Sequence, residues 1–192
     1  MSCDEFLNWD DDQTFGEWVD GEIELMSPAS WEHGQLEKFL VRILTDYCDE
    51  RCGGEIFQSQ FVMRLDSVRT GRLPDVGYVS KEHLDRITPQ YLMGPADLAI
   101  EIISTESVRR DKYAKYAEYE RAGVREYWIV DPIKQDVWFY QLNPLGKFDE
   151  IQPDNNGVYH SLVMAGLWVK IDWFWTESRP RAKDVLRAWG ID

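Results

Sequence analysis

The sequence predicts an α/β domain, on the border of α+β, with a mixed β-sheet flanked by helices. Three observations predict it. A helical segment is followed by a run of strands. A strand–helix–strand unit then occupies residues 97–131, an order that argues for a mixed sheet. The chain of 192 residues is 44% hydrophobic and 14% aromatic, enough apolar surface for one domain, 1–192, with a substantial core.

Each element follows from local signals. Residues 1–16 carry little pattern and are expected to be a loosely attached lead-in. "EWVDGEIELM" alternates as a hairpin turning at Asp20-Gly21. Ser30 is a helix N-cap candidate, and Leu36, Leu40, Ile43, Leu44 and Tyr47 recur on one face of the helix that follows. Gly53-Gly54 ends that segment. "EIFQSQFVMRL" reads as one alternating strand, and "RLPDVGYVS" as a strand interrupted by Pro74. "DLAIEIIS" is the most strand-like run. A helix is expected from Ser107 to Ala122, stopped by Gly123, then strands at "REYWIVD" and "QDVWFYQL". "GKFDEIQPDNNGVYHS" reads as a strand pair or a loop. "LWVKIDWFW" reads as a strand followed by an aromatic patch, and "PRAKDVLRAWG" as a terminal helix.

Composition narrows the function classes. A net charge of −14 argues against gripping nucleic acid over the whole surface, while leaving room for a local basic patch or a carboxylate-rich cation site. No apolar run reaches bilayer length and the first residues are acidic, so a cytoplasmic protein without a membrane span is expected. Cys3, Cys48 and Cys52 form no disulfide framework. Cys48 and Cys52 could begin a metal site, but no second pair follows at zinc spacing, so free thiols at a helix end are expected.

The chemistry centres on "DLAIEIISTESVRRDK", Asp97 to Lys112. Glu101 stands among Ala99, Ile100, Ile102 and Ile103. On a solvated face, period two would also send Ala99 and Ile103 outward. On a buried face, the carboxylate needs a cation. Asp75, next to Pro74 at a strand kink, is a second carboxylate on a neighbouring strand. Two such groups suit Mg²⁺, which takes oxygen ligands and retains several waters. With a nearby ammonium at Lys115, this is the minimum set for metal-assisted phosphodiester hydrolysis.

The ordered segments "VDGEIELMSPASWEH", "LPDVGYVS", "GPADLAIEIISTESVRRD", "KYAEYERAGVREYWIVDP" and "VWFYQL" resemble the Uma2 family of the PD-(D/E)XK nuclease superfamily. The resemblance spans about residues 18–142 and loosens over the C-terminal stretch. It implies a restriction-endonuclease-like core and an Mg²⁺-dependent (or Mn²⁺-dependent) site. Pro74-Asp75 resembles the family's PD, and Glu101 the acidic residue of the second half-motif. The Lys usual two residues later is Ile103 here. The resemblance moves that role to Lys115, with Tyr119 one turn on and Lys112 as the substitute. His33 matches a recurring His, which implies a place near the metal or a water; the alternative is a hydrogen-bonded His at a helix start. Glu22 is a further acidic candidate or a plain hairpin charge, and Ser104 a donor to a carboxylate or part of the helix start.

The expected activity is a Mg²⁺-dependent endonuclease hydrolysing phosphodiester bonds of DNA, with Asp75 and Glu101 on the metal and Lys115 positioning or activating the water. A homodimer would supply two sites for two strands. Arg109, Arg110, Lys112, Lys115, Arg121 and Arg125 form one basic cluster, and Arg179, Arg181, Lys183 and Arg187 a second; neither identifies a nucleic acid. The alternative is a non-catalytic interaction protein on a nuclease-like fold, with "WVKIDWFW" as a contact surface unless those rings are core.

Overall fold

The structure, a computed structural model, describes residues 1–9, 16–104 and 110–191. The start of the helix expected at Ser107, and Arg109, lie outside the described residues.

The described residues form a mixed α/β architecture of two larger sheets, a two-stranded one and flanking helices, as the element order predicts. A short helix, α1 (Cys3–Leu7), precedes the hairpin β1 (Gly16–Val19) and β2 (Glu22–Leu25). Asp20 and Gly21 turn it with φ of 52° and 97°, the left-handed pair that matches strand twist. The long helix α2 (Trp31–Tyr47) follows, and its first turn is capped by Ser30 Oγ, which accepts the His33 N–H at 3.2 Å. Next come β3 (Glu55–Gln58), β4 (Val62–Leu65), β5 (Thr70–Arg72), β6 (Val76–Val79), β7 (Tyr91–Met93) and β8 (Leu98–Ile102). Helix α3 (Tyr116–Ala122) leads to β9 (Glu126–Asp131) and β10 (Asp136–Leu142). Strands β11 (Phe148–Glu150), β12 (Val158–His160) and β13 (Trp168–Lys170) and helix α4 (Ala182–Ala188) complete the chain.

The central sheet has the order β11-β10-β9-β8-β6-β3, with β8 and β9 parallel and its other pairs antiparallel. A smaller sheet runs β2-β1-β5-β4-β7, and β12 pairs with β13. The stretch "EIFQSQFVMRL" is therefore two strands. Phe61 N–H donates to Gln58 O at 3.0 Å and closes a turn, so β3 stays in the central sheet and β4 enters the smaller one. Alternation on both sides of the polar Gln-Ser-Gln makes the break invisible to pattern. Pro74 marks a second such transfer, from β5 to β6.

The two faces of the central sheet carry separate cores, sorted by parity along β8. Leu98, Ile100 and Ile102 pack towards α2 and α4, with Val76, Trp128 and Phe139. Ala99 and Ile103 pack on the other face with Tyr119 of α3 and Met63, Leu65 and Leu92 of the smaller sheet. The solvated-face alternative for Glu101 is thereby overturned: it is 3% exposed on this second face.

The lead-in is a further correction, since the described residues 1–9 are docked. The N-terminal ammonium donates to Gly21 O at 2.7 Å, Trp18 Nε1 donates to Met1 O at 3.0 Å, and Cys3 is buried. Helix α1 closes with a reciprocal capping box between Ser2 and Glu5. At the other end, the aromatic tail is core. Phe139 and Tyr159 stack at 3.8 Å between centroids, Phe174 is fully buried against the same cluster, and Trp173 packs on Trp189. All three cysteines are free thiols. No helix among the described residues is long and apolar enough to cross a membrane.

Candidate active site

The site begins with strand register. Val76 pairs with Ile100 and Gly77 with Ala99 in the antiparallel β6–β8 ladder. One step further along that register, Asp75 stands opposite Glu101. Pro74 has no N–H and ends the β5 side, leaving Asp75 at the mouth of the ladder. Its Oδ2 accepts the Ile102 N–H at 2.6 Å, and its Oδ1 is 3.0 Å from His33 Nε2. The N-cap that starts α2 thus also aims His33 at Asp75. Burial opposes protonation of this imidazole, but the bond to Asp75 and its negative charge outweigh that and raise the His33 pKa above its ordinary value.

Glu101 is held from the opposite side. Its Oε1 accepts the Tyr119 hydroxyl at 2.7 Å, and its Oε2 is 2.9 Å from Lys115 Nζ. Lys115 is also 2.9 Å from Glu17 Oε1 and 3.6 Å from Asp111 Oδ1. Glu17 in turn accepts from Arg72 at 2.8 Å and from the Leu73 N–H at 2.9 Å. Arg72 reaches Glu24 at 2.9 Å and forks onto Glu118 with two bonds of 2.7 Å. The charged chain therefore runs Glu118–Arg72–Glu17–Lys115–Glu101 and ties the hairpin, β5, β8 and α3 into one unit.

Its electrostatics are uneven. Burial pushes Glu17 up, but Lys115 and Arg72 dominate and hold it down to about 2. Glu101 lies well above the ordinary carboxylate range, because burial and the nearby Asp111, Asp75 and Glu17 outweigh Lys115. Lys115 is raised, because its three carboxylates outweigh burial. The two partners look inconsistent, one favouring and one disfavouring charge. The sharing resolves it: one ammonium serves Glu101, Glu17 and Asp111 together, while Glu101 also carries the cost of full burial and of three carboxylate neighbours. Lys115 is consequently a fixed cation and is poorly suited to take a proton from water.

Glu17 carries a prediction. Its folded pKa lies below the unfolded one, so the unfolded chain binds more protons between about pH 4.5 and 2, and stability falls as pH falls through that window. The loss is about 3 kcal/mol from this group, at about 1.4 kcal/mol per unit. Acid unfolding followed by circular dichroism should show this slope. In Glu17→Gln the slope should flatten and neutral-pH stability should drop, because Arg72 and Lys115 lose a buried counter-charge.

Asp75, Glu101 and Asp111 face one cavity of about 540 Å³, walled by the 25–29 segment, His33, Ser104 and Arg110. Among the described residues, no three His, Cys, Asp or Glu side chains converge closely enough to hold a metal by themselves. The donor set nevertheless fits a hard cation that keeps its waters. Each oxygen of Asp75 and Glu101 has a second lone pair beyond the contact described. Among the described residues, the buried Asp111 Oδ1 accepts no hydrogen bond, and the Lys115 charge does not offset burial and the neighbouring carboxylates at Glu101. A cation ligated by two carboxylates plus water is what Mg²⁺ prefers.

The sequence profile of the Uma2 family, described as "Putative restriction endonuclease", matches residues 3–172. The chain belongs to the Uma2 family. The match extends beyond the segment whose resemblance was evident from motifs. The fold is similar to a solved structure of "a putative nuclease belonging to DUF820 from Anabaena variabilis ATCC 29413", with a TM-score of 0.74 and 16% identity, covering 91% of this chain and 97% of that one. It shares the restriction-endonuclease-like fold. No curated protein matches the chain significantly.

In this Uma2 member the structure brings together Asp75, Glu101, Lys115 and His33, with two corrections. Lys115 is fully buried behind Glu101 and does not line the cavity, so it does not touch a water there. Lys112 does not substitute for it. Its ammonium lies 3.3 Å from the centroid of the Trp138 ring, and its charged neighbours are Asp131, Lys134 and Asp136. The segment Arg110–Lys115 is a π-turn, whose wider i→i+5 repeat takes residues three apart off a common face. Glu22 is exposed, and the hairpin contributes Glu17 and Glu24 instead. The described members of the first basic cluster are partly engaged internally: Lys115 is sealed and Arg125 is 3.5 Å from Asp97. In the second cluster, Arg179 contacts Glu32 at 2.7 Å, and Arg181 contacts Asp184 at 2.8 Å. Sequence reasoning missed Glu17, Arg72 and Asp111 as parts of the site, and held Arg110 only as a member of the first basic cluster. The one available signal was Asp111, which closes the matched segment "GPADLAIEIISTESVRRD".

Proposed function

We propose that this chain is a Mg²⁺-dependent endonuclease hydrolysing phosphodiester bonds of DNA. The observation that carries the reading is the meeting of Asp75 and Glu101 from adjacent strands in one cavity, with a fixed ammonium behind Glu101. Membership of a family described as "Putative restriction endonuclease" supports the same reaction class.

Asp75 and Glu101 would hold Mg²⁺ or Mn²⁺. Such an ion supplies Lewis acidity at a phosphoryl oxygen and eases ionisation of a bound water. The rest falls to the chain. The Ile102 N–H and His33 fix the Asp75 carboxylate in direction. Tyr119 and Lys115 do the same for Glu101, and Lys115 adds an immobile positive charge in a low-dielectric setting, which opposes negative charge developing on a phosphate. The alternative reading, an interaction protein, loses one of its supports, because Phe174 is in the core and Trp168, Trp173 and Trp175 pack against it.

The test joins metal binding to cleavage. Calorimetric titration should show Mg²⁺ or Mn²⁺ binding at millimolar concentration or below. Plasmid cleavage should stop with chelator and return with Mg²⁺. No binding at millimolar metal together with no cleavage of any DNA would sink the reading.

A further inference from the structure

The cation expected at the reacting phosphate is not in the cavity. Lys115 has no exposed surface and is enclosed by Glu17, Glu101 and Asp111. Yet the cavity walls include Asp75, Glu101, Asp111 and Glu37, so an approaching phosphate meets negative charge. Among the described residues that line it, one Lys or Arg is present, Arg110.

Arg110 differs from the buried Arg72 in how its charge is used. Arg72 is 1% exposed and makes hydrogen bonds to Glu17, Glu24 and Glu118. Among the described residues, the Nε of Arg110 has no hydrogen-bond partner, and its nearest carboxylate oxygens, on Asp111 and Glu17, are 3.6 and 3.9 Å away. These contacts pin the guanidinium without saturating its donors, and its side chain remains 25% exposed. It also borders a second, shallower recess formed with Glu24, Tyr113 and Ala114, so it stands on the wall between two openings. Tyr113, 70% exposed, offers a ring face on that side.

We propose that Arg110 is the phosphate anchor of this site: its guanidinium binds a backbone phosphate of the substrate strand where it passes from the Tyr113 recess into the carboxylate cavity. A planar fork suits a phosphate's paired oxygens in a way an ammonium does not. It also explains how a chain of net charge −14 accepts a polyanion: contact is confined to one guanidinium at the wall of the reacting cavity. The inference rests on the nuclease reading above.

The experiment measures affinity for a short fluorescent DNA strand and its duplex across a salt series, together with cleavage, for wild type, Arg110→Gln, Arg110→Lys and Lys38→Ala. Arg110→Gln should lose affinity roughly ten- to a hundredfold, the worth of one charge-assisted contact. Its salt slope should fall by about one. Arg110→Lys should recover charge and slope but only part of the affinity. Lys38→Ala, an exposed lysine on α2 outside both basic clusters, reports the effect of net charge alone. Melting temperatures check that each variant is folded; if Arg110→Gln is not, Arg110→Lys still carries the comparison through its partial loss of affinity. The inference is overturned if the Arg110 variants match Lys38→Ala while wild type binds and cuts. If wild type neither binds nor cuts, the nuclease reading has failed and this inference goes with it.

Discussion

Glu101→Gln abolishes cleavage and weakens Mg²⁺ binding while the protein remains folded; this is the largest functional effect expected. The substitution keeps the side-chain shape and removes one of the two carboxylates proposed to hold the metal. Loss of a single preorganised electrostatic contact in an active site typically costs about a hundred- to a thousandfold in rate, and loss of a metal ligand should cost at least that. Stability should respond differently. Burial and the charges of Asp111, Asp75 and Glu17 already oppose ionised Glu101, so removing its charge relieves the metal-free protein. The new amide must still accommodate the Lys115 ammonium, so the net change in melting temperature should be small. Plasmid cleavage, manganese titration and thermal melts on one preparation separate the effects. Wild-type cleavage by Glu101→Gln would remove Glu101 from the mechanism.

Lys115→Met should produce the largest loss of stability. The ammonium is fully buried and lies against Glu17 and Glu101 at 2.9 Å and near Asp111. Removing it leaves carboxylates in a low-dielectric interior without their counter-charge, a change that typically costs about 3–5 kcal/mol. For a chain of this length, that corresponds to a fall in melting temperature of roughly 6–20 °C. The double variant Lys115→Met/Glu101→Gln should recover part of the loss, because one orphaned charge disappears with its partner. Additive effects in this cycle would mean that the two groups do not interact.

These two outcomes separate residues whose position was legible from residues whose role was not. Pro74-Asp75 and Glu101 stand out because a carboxylate in an apolar strand, and a Pro beside a strand, are local departures from pattern. Lys115 was legible as an ammonium on the helix after that strand and through the family resemblance, but its enclosure was not: burial depends on Glu17 and Arg72, which arrive from the hairpin and from β5. Lys112 was misplaced for a local reason, a π-turn that no residue type announces. The split of "EIFQSQFVMRL" between two sheets was hidden for the opposite reason, since both halves keep the same alternation.

The sequence alone determined the strand–helix–strand core, the turn at Asp20-Gly21, the cap at Ser30, the stop at Gly123 and the presence of Asp75 and Glu101, because these depend on backbone chemistry and on periodicities within a few residues. Only the tertiary structure decided that Glu17 and Arg72 clamp Lys115, that Lys115 lies behind Glu101, and that Arg110 and Asp111 face the cavity. Those are contacts between segments far apart in the chain, and charge pairing through space leaves no period for a sequence to display.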